Sequence, residues 1–196
     1  TGEVLAALGL TEPEAGSDAL SLRTTARRDG DHYVLNGTKR FITNAPIAGL
    51  YTVMARTAEG RRADAISCFL VEAGTPGITL GKPDRKMGQA GSLTCDIIFE
   101  DCRVPASALL GGEEGNGFRT AMRVLDKGRL HIAAVCVGMA ERLIAESVRY
   151  ATERKQFGKA IADFQLIQAM IADSQTEAYA ARTMVLDAAR KRDRGE

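Results

Sequence analysis

Residues 10–18 form the stretch whose side chains are best suited to chemistry. Pro13, Gly16 and acidic residues crowd it too closely for a helix interior or a central strand, so it predicts a tight loop with exposed backbone. Gly16 lets a ligand approach the main chain. The hydroxyls of Thr11 and Ser17 can donate or accept hydrogen bonds. Such a loop could cradle a polar, planar cofactor, although a surface turn that only connects two elements fits the same residues.

Composition argues against several other kinds of site. A net charge of +1 gives no reason to expect nucleic acid or an anionic membrane surface as a partner. No two of the four cysteines (Cys68, Cys95, Cys102 and Cys136) form a C-x-x-C pair, and with only two histidines no metal site is expected. No apolar run approaches the ~20 residues of a membrane span, and no signal peptide is apparent. We expect reduced, buried thiols in a cytoplasmic protein, or in the mitochondrial matrix if the source is eukaryotic.

The elements that would position the loop are β-strands in the first half of the chain. Residues 20–29 alternate between apolar and polar, which is the period of a half-buried strand. Asp29-Gly30 and Asn36-Gly37 are turn signals, and the second predicts a hairpin between residues 32–35 and 39–43. Further strands are expected at residues 50–57, 65–72, 78–80 and 92–99. Roughly seven short strands without intervening helices predict an antiparallel sandwich or barrel.

Helices follow a glycine-rich stretch at residues 111–117. That stretch lacks the spacing of a phosphate-binding loop and carries two glutamates, so it is interpreted as an interdomain hinge. Apolar residues then recur at helical spacing from Phe118 to about Arg154, with Gly158 at the expected C-cap. A second helix is expected from about Phe164. The predicted organisation is a β domain at 1–110, the hinge at 111–117, and two long helices of a bundle at 118–196.

Three stretches, taken together, resemble the acyl-CoA dehydrogenase family. They are residues 10–18, the sequence Phe-Ile-Thr-Asn at 41–44, and the sequence Glu-Arg-Lys-Gln-Phe-Gly at 153–158 with Phe164-Gln165 following. Supporting matches are Met-Gly-Gln at 87–89, Phe-Glu-Asp at 99–101, Val104-Pro105 and Gly128-Arg129. Each match alone is weak, but the set occurs in family order across nearly the whole chain.

The resemblance implies an α+β, multidomain fold. The family has an N-terminal helical domain, a middle β domain and a C-terminal four-helix bundle. This sequence looks like the middle domain and the first half of the bundle. Both ends look cut, so we expect it to be part of a longer protein.

The resemblance also implies FAD, with oxidation of an acyl-CoA thioester to a trans-2-enoyl-CoA and transfer of electrons to an electron-transfer flavoprotein. Fatty-acid or amino-acid catabolism and a homo-oligomer, a dimer or tetramer, are implied with it. The positions matched to the flavin and its phosphates are Leu10, Thr11, Gly16 and Ser17. Those matched to the isoalloxazine ring are Phe41, Ile42 and Thr43. Those matched to the FAD of a neighbouring subunit are Arg154, Phe157 and Gln165. Those matched to the acyl-CoA are Ser17, Asp126 and Arg129.

Plainer roles fit the same side chains. Phe41 and Phe157 could be core aromatics. Arg154 could pair with Glu153 or Asp163. Asp126 and Arg129, three residues apart on one helix, could form a surface ion pair of little energetic weight.

The sequence departs from the family pattern at two positions. Phe41 stands where many relatives have Trp. Gly128 stands where some relatives carry the catalytic glutamate, and most others place that base in a later part of the C-terminal domain. No residue is therefore assigned as the catalytic base.

Two other functions remain open at this point. An oxygen-using acyl-CoA oxidase or monooxygenase-like flavoenzyme would share the flavin-loop residues. A non-catalytic flavin-binding or assembly module would also fit the sequence.

Overall fold

The computed structural model describes residues 2–196. The chain divides into two compact units, Thr1–Arg123 and Val124–Glu196. The first is built on a β-sheet and the second on long helices, as expected for the fold class.

Seven strands form the sheet of the first unit. They are β1 (Ala6–Gly9), β2 (Thr25–Asp29), β3 (His32–Thr43), β4 (Leu50–Arg56), β5 (Ile66–Glu72), β6 (Ile78–Leu80) and β7 (Thr94–Pro105). The order along the sheet is β1-β4-β2-β3-β7-β6, with β5 paired to β4. Most pairs are antiparallel, but β1 runs parallel to β4, and Thr25 of β2 pairs in parallel with Arg56. The result is a mixed, curled half-barrel.

Alternate residues of these strands form the main hydrophobic core. Tyr33, Leu35, Val53, Phe69 and Ile97 are each almost completely buried, and the ring of Tyr33 meets that of Phe69 edge-on at 4.9 Å. A smaller cluster, which includes Leu22, Met54 and Ala121, packs separately. Because one face of each strand is buried, the core fixes the register of the sheet.

The prediction of a hairpin at Asn36-Gly37 is wrong, because β3 continues through both residues without a turn. The pairing between β3 and β7 shifts by one residue between Leu35 and Gly37, and the carboxamide of Asn36 accepts a hydrogen bond of 2.8 Å from the backbone N–H of Asp101. The sequence signal therefore marks the point in β3 that faces a β-bulge in β7, where Glu100 and Asp101 oppose the single residue Asn36 and Asp101 has a φ of +46°.

Other sequence-based boundaries also change. The strand expected at residues 20–29 begins only at Thr25, after a single 3₁₀ turn at Ala19–Ser21, and β7 extends to Pro105 rather than ending near Phe99. Cys68, Cys95 and Cys102 are buried free thiols, whereas Cys136 is exposed, contrary to expectation. Burial raises the pKa of Cys68 and of Cys102 to about 11. Among residues 2–196, no helix is both long and apolar enough to span a membrane.

The glycine-rich stretch at 111–117 is fastened to the sheet of the first unit. The hydroxyl of Tyr33 donates a hydrogen bond of 2.6 Å to Glu114, and the backbone N–H of Gly115 donates one of 2.9 Å to the Ser67 hydroxyl. A Cβ on Gly117 would lie 2.4 Å from the backbone carbon of Ser67. Only glycine allows this approach.

Two helices and a short hairpin make up the rest of the chain. Helix α1 (Gly117–Glu153) is followed by β8 (Lys155–Gln156), β9 (Lys159–Ala160) and α2 (Gln165–Asp193). The sequence predicts Gly158 as the C-cap of α1, and this prediction is wrong. Gly158 lies in the tight β8–β9 turn with a φ of +80°, a conformation that glycine adopts without strain.

Candidate functional site

Residues 10–17 form the tight loop that the sequence predicts. Glu12 and Ala15 exchange backbone hydrogen bonds of 2.9 and 3.2 Å across Pro13, which closes the turn. Gly16 and Ser17 follow it and are exposed to solvent. A Cβ built on Gly16 would meet nothing within 4 Å, so the main chain is open to approach at this point.

A buried ion pair supports this loop. The Lys39 ammonium lies 2.7 Å from the Glu12 carboxylate and 3.2 Å from the carbonyl oxygen of Leu10, to which it also donates. Glu12 accepts two further hydrogen bonds, from the backbone N–H groups of Arg23 and Thr24. Burial raises the pKa of Glu12, but Lys39 and the hydrogen bonds together lower it below its ordinary value. Burial lowers the pKa of Lys39 to about 8, against the attraction of Glu12.

A second β-bulge, formed by Arg40 and Phe41, lies beside the loop. The register of β3 on β7 shifts by one residue between Lys39 and Ile42. Phe41 has a φ of +58° and is 60% exposed, while Ile42 is buried. An aromatic residue with a left-handed backbone is uncommon and costs free energy, on the order of 1–3 kcal/mol.

A backbone hydrogen bond of 2.8 Å, donated by the N–H of Arg40 to the carbonyl oxygen of Thr11, joins the bulge to the loop. We call the resulting region the rim; it consists of Leu10, Thr11, Phe41 and Thr43, together with Ile42, whose side chain is buried beneath it. The structure therefore brings together five of the seven residues matched to the flavin ring and its phosphates, and Gly16 and Ser17 follow in the same loop.

The side chain of Arg40 covers part of the rim. Its guanidinium lies 2.6 Å from Asp96 and 3.6 Å from Asp84, and it sits over the Phe41 ring at 4.5 Å from the centroid. The hydrogen bond to Asp96 raises the pKa of Arg40. Arg40, Lys39 and Glu12 are not among the site residues that the sequence predicts. For Lys39 and Arg40, the sequence offers one indication, since they are two adjacent cations in a strand whose other residues are about half apolar. For Glu12, nothing in the sequence indicates burial.

In the second unit, the residues matched to a neighbouring subunit's FAD lie on the connection between α1 and α2. Arg154 directly follows α1, Phe157 occupies the hairpin turn, and Gln165 is the first residue of α2. All three are exposed; Phe157 has a φ of +53° and is 92% exposed. Its ring meets that of Phe164 edge-on at 6.2 Å. Neither Phe157 nor Phe41 is a core aromatic in this structure.

Arg154 carries no ion pair within the part of the chain that the structure describes. Its neighbour Glu153 pairs instead with Arg149 at 3.5 Å. Its backbone is held firmly, since its N–H donates to Tyr150 and its carbonyl accepts from Ile161. The guanidinium is thus presented on a fixed main chain and is free to bind an anion.

Asp126 and Arg129 lie on α1 and are exposed. They line one end of a groove of about 380 Å³ between α1 and α2, together with Met184 and Arg192. Within residues 2–196, no ion pair joins Asp126 to Arg129. Gly128 is open, with nothing within 4 Å of a Cβ built there.

The three glutamates along α1 are engaged in surface ion pairs. Glu141 pairs with Arg182 at 3.5 Å, and Glu146 pairs with Arg142 and Arg149 at 2.6 and 2.7 Å. Glu153 completes the set with Arg149. Because each of these carboxylates is held in an ion pair at the helix surface, none of them is assigned as the base for proton abstraction.

The rim fits a planar aromatic cofactor in its chemistry. Exposed main chain, the Thr11 and Thr43 hydroxyls and an outward-facing aromatic ring supply both hydrogen bonds and a stacking surface. No cluster of three or more metal-ligating side chains occurs among residues 2–196.

Comparison with protein families identifies both parts of the chain. Residues 7–102 match the model of the acyl-CoA dehydrogenase middle domain, and residues 115–196 match that of the acyl-CoA dehydrogenase C-terminal domain.

Among curated proteins, an acryloyl-CoA reductase (NADH) of Anaerotignum propionicum is 49% identical over 100% of this chain and 50% of its own length. An acyl-CoA dehydrogenase of Bacillus subtilis is 48% identical over 100% of this chain and 51% of its own. A subunit of the caffeyl-CoA reductase–Etf complex of Acetobacterium woodii is 47% identical over 96% and 50%. The chain thus spans about half the length of the curated relatives it matches.

Solved structures agree with the fold. Butyryl-CoA dehydrogenase from Megasphaera elsdenii superposes with a TM-score of 0.93 at 45% identity, covering 98% of this chain and 50% of that one. A glutaryl-CoA dehydrogenase from Mycobacterium smegmatis, solved in complex with FADH2, gives a TM-score of 0.91 at 34% identity, covering 98% and 48%. With two domain models that follow one another along its length and a fold that superposes on solved members, the chain belongs to the acyl-CoA dehydrogenase family.

Proposed function

We propose that the protein containing this chain binds FAD and oxidises an acyl-CoA thioester to the trans-2-enoyl-CoA, with an electron-transfer flavoprotein as the electron acceptor. The observation that carries the proposal is the rim, where an exposed aromatic on a left-handed backbone lies beside an open, hydroxyl-bearing loop. Membership of the family and the FADH2 complex of one relative support the choice of flavin.

The residues of the first unit would hold the flavin itself. Leu10, Thr11, Gly16 and Ser17 would line the ring and the phosphates, and the bulge residues would flank the isoalloxazine. A bound flavin would supply the acceptor for the β-hydride of the thioester. Backbone N–H groups and hydroxyls that point toward the ring would then stabilise the negative charge that arrives on it.

The residues of the second unit would act on charged parts of cofactor and substrate. Arg154 is suited to a pyrophosphate because its planar fork can donate two parallel hydrogen bonds, and Phe157 and Gln165 lie on the same connection. We propose that these three contact the FAD of a neighbouring subunit in a homodimer or homotetramer. Ser17, Asp126 and Arg129 would contact the acyl-CoA. No residue of this chain is assigned as the base that removes the α-proton.

A second candidate is the reverse reaction, reduction of a 2-enoyl-CoA. It is favoured by one observation, the 49% identity to an acryloyl-CoA reductase (NADH). The flavin-binding residues would serve either direction. The direction of net flux follows instead from the electron donor or acceptor that the complete protein uses.

An anaerobic titration of the full-length, FAD-loaded protein with a panel of saturated acyl-CoAs tests the proposal. Bleaching of the visible flavin band by one chain length, followed by rapid reoxidation with an electron-transfer flavoprotein and slow reoxidation in air, is the expected result. Rapid reoxidation in air would instead indicate an oxidase. Bleaching by NADH and recovery with an enoyl-CoA would indicate the reductase. A protein that retains no visible flavin band after FAD is added and the excess is removed would contradict all three flavoenzyme functions.

A further inference from the structure

The buried pair of Glu12 and Lys39 has no part in the proposed chemistry, because neither side chain reaches the surface. Lys39 is completely buried and Glu12 is 4% exposed. Yet the pair lies directly beneath the rim. Lys39 immediately precedes the two bulge residues in β3, and Glu12 immediately follows Thr11 in the loop.

The hydrogen bonds of the pair connect three chain segments: β3, the loop at 10–17 and residues 23–24. The Lys39 ammonium donates both to Glu12 and to the Leu10 carbonyl oxygen, so it grips the loop at two points. Glu12 in turn accepts from Arg23 and Thr24, which anchor the far side of the turn. A Cβ on Gly9 would lie 3.3 Å from Lys39 Cγ, so the stem of the lysine is also closely packed.

A buried ion pair of this kind adds little to the stability of the folded state by itself. The cost of removing both charges from water offsets much of their attraction, and a well-packed apolar pair often serves stability equally well. A paired charge does, however, demand a specific geometry, because any displacement leaves a buried charge unsatisfied. What the pair adds here is therefore a fixed distance between the loop and β3.

We propose that Glu12 and Lys39 are positioning residues that hold the loop at 10–17 against the Arg40–Phe41 bulge, so that the rim has its binding shape before the flavin arrives. A rim ordered in advance loses less entropy when the cofactor binds. The consequence for FAD rests on the proposed function. The positioning itself concerns only the protein and is tested separately.

The test compares Lys39→Met with a matched control in the full-length protein. Methionine retains most of the lysine stem but none of its hydrogen bonds. The control is Val104→Ala, which removes buried volume near the end of β7. Val104 pairs with Tyr33 of β3 and therefore lies far along the sheet from the Arg40–Phe41 bulge. Two quantities are measured for each variant: amide hydrogen exchange at Arg40 without cofactor, which reports the bond from its N–H to Thr11, and the dissociation constant for FAD.

The two variants are compared in conditions under which they have the same melting temperature. We expect Lys39→Met to accelerate hydrogen exchange at the Arg40 amide more than Val104→Ala does. We also expect it to weaken FAD binding at least tenfold more. The circular dichroism of the visible flavin band should change in Lys39→Met only. Equal exchange and equal loss of FAD in the two variants would overturn the proposal, because the pair would then act through general stability.

A second variant covers the case in which Lys39→Met does not fold. Glu12→Gln keeps the side-chain volume and one acceptor oxygen, and we expect it to change both quantities in the same direction by a smaller factor. Unchanged exchange at Arg40 in Glu12→Gln would overturn the proposal. If the wild-type protein binds no FAD, the proposed function fails, while the exchange measurement still decides whether the pair positions the loop.

Discussion

A carboxylate surrounded by buried donors is held in its ionised form, and Glu12 is in this position. It accepts hydrogen bonds from Lys39 and from two backbone N–H groups, which together outweigh the opposing effect of burial on its pKa. The folded state therefore keeps this carboxylate ionised at a pH where the unfolded chain already binds a proton.

This linkage predicts the acid sensitivity of the first unit. Because the folded pKa of Glu12 is lowered from 4.5, its contribution is fully present above that pH and is lost as the pH falls through the folded pKa. We expect Glu12→Gln to cost about 3 kcal/mol at neutral pH, since it leaves Lys39 without its charged partner. The variant should also lose less stability than the wild type on acidification, which urea unfolding at a series of pH values measures.

The control for this experiment is Glu59→Gln, an exposed glutamate in the same unit. It should unfold like the wild type at every pH. A Glu12→Gln variant whose stability falls as steeply with acid as that of the wild type would assign the linkage to other carboxylates.

At the scale of elements, β3 determines the shape of the first unit. Its pairing with β7 contains two bulges: Glu100 and Asp101 of β7 oppose the single residue Asn36, and Arg40 and Phe41 of β3 oppose the single residue Asp96. Gly37 directly follows Asn36 and has a φ of +146°. A Cβ there would lie 2.7 Å from the Cα of Thr24, so the residue that precedes β2 approaches β3 too closely for any side chain at position 37.

We therefore expect Gly37→Ala to destabilise the unit by about 2 kcal/mol or more, since it combines backbone strain with a clash against main-chain atoms. Chemical denaturation measures the loss. Gly74→Ala is the matched control, because a Cβ at Gly74 meets nothing within 4 Å and its φ is not in the left-handed region. It should change stability by less than about 0.5 kcal/mol. Similar losses in both variants would mean that the close approach at Gly37 relaxes easily.

The same strand shows how far the sequence could lead. Hydrophobic alternation indicated the strands, and the change to helical spacing located α1 and α2 within a few residues, because both patterns follow directly from which face is buried. The Asn36-Gly37 sequence predicts a turn because these two residue types favour turns locally. The pairing of β3 with β7 joins residues that are distant in sequence, so no pattern among neighbouring residues indicates it. For the same reason the pattern could not show that Lys39 is buried against Glu12, which lies 27 positions away.

At the scale of the whole molecule, the two units carry different parts of the proposed site. The rim belongs to the first unit, and the exposed Arg154 and Phe157 belong to the second. If these residues serve the FAD of a neighbouring subunit, retention of the cofactor depends on assembly, and dilution should release it.

Arg154→Ala tests that dependence. We expect FAD to bind at least tenfold more weakly and to dissociate more readily on dilution, because a charge-assisted contact with the pyrophosphate is lost. Stability without FAD should change by no more than about 0.5 kcal/mol, as for ordinary surface substitutions. Arg142→Ala serves as the control, because Arg142 is an exposed arginine on α1, the helix that Arg154 directly follows. An equal fall in melting temperature with and without FAD would argue against the role of Arg154.

The contacts at residues 111–117 bear on how such proteins can be recombined. A glycine-rich stretch ahead of a long helix invites a chimera with its crossover at that point. Here Glu114 and Gly115 hydrogen-bond to Tyr33 and Ser67, and an added Cβ at Gly117 would clash with the backbone of Ser67. A donor sequence spliced in at the glycines would have to match the acceptor's β5 surface. Crossovers within the solvent-exposed surface of α1 beyond Arg123 would leave this joint intact.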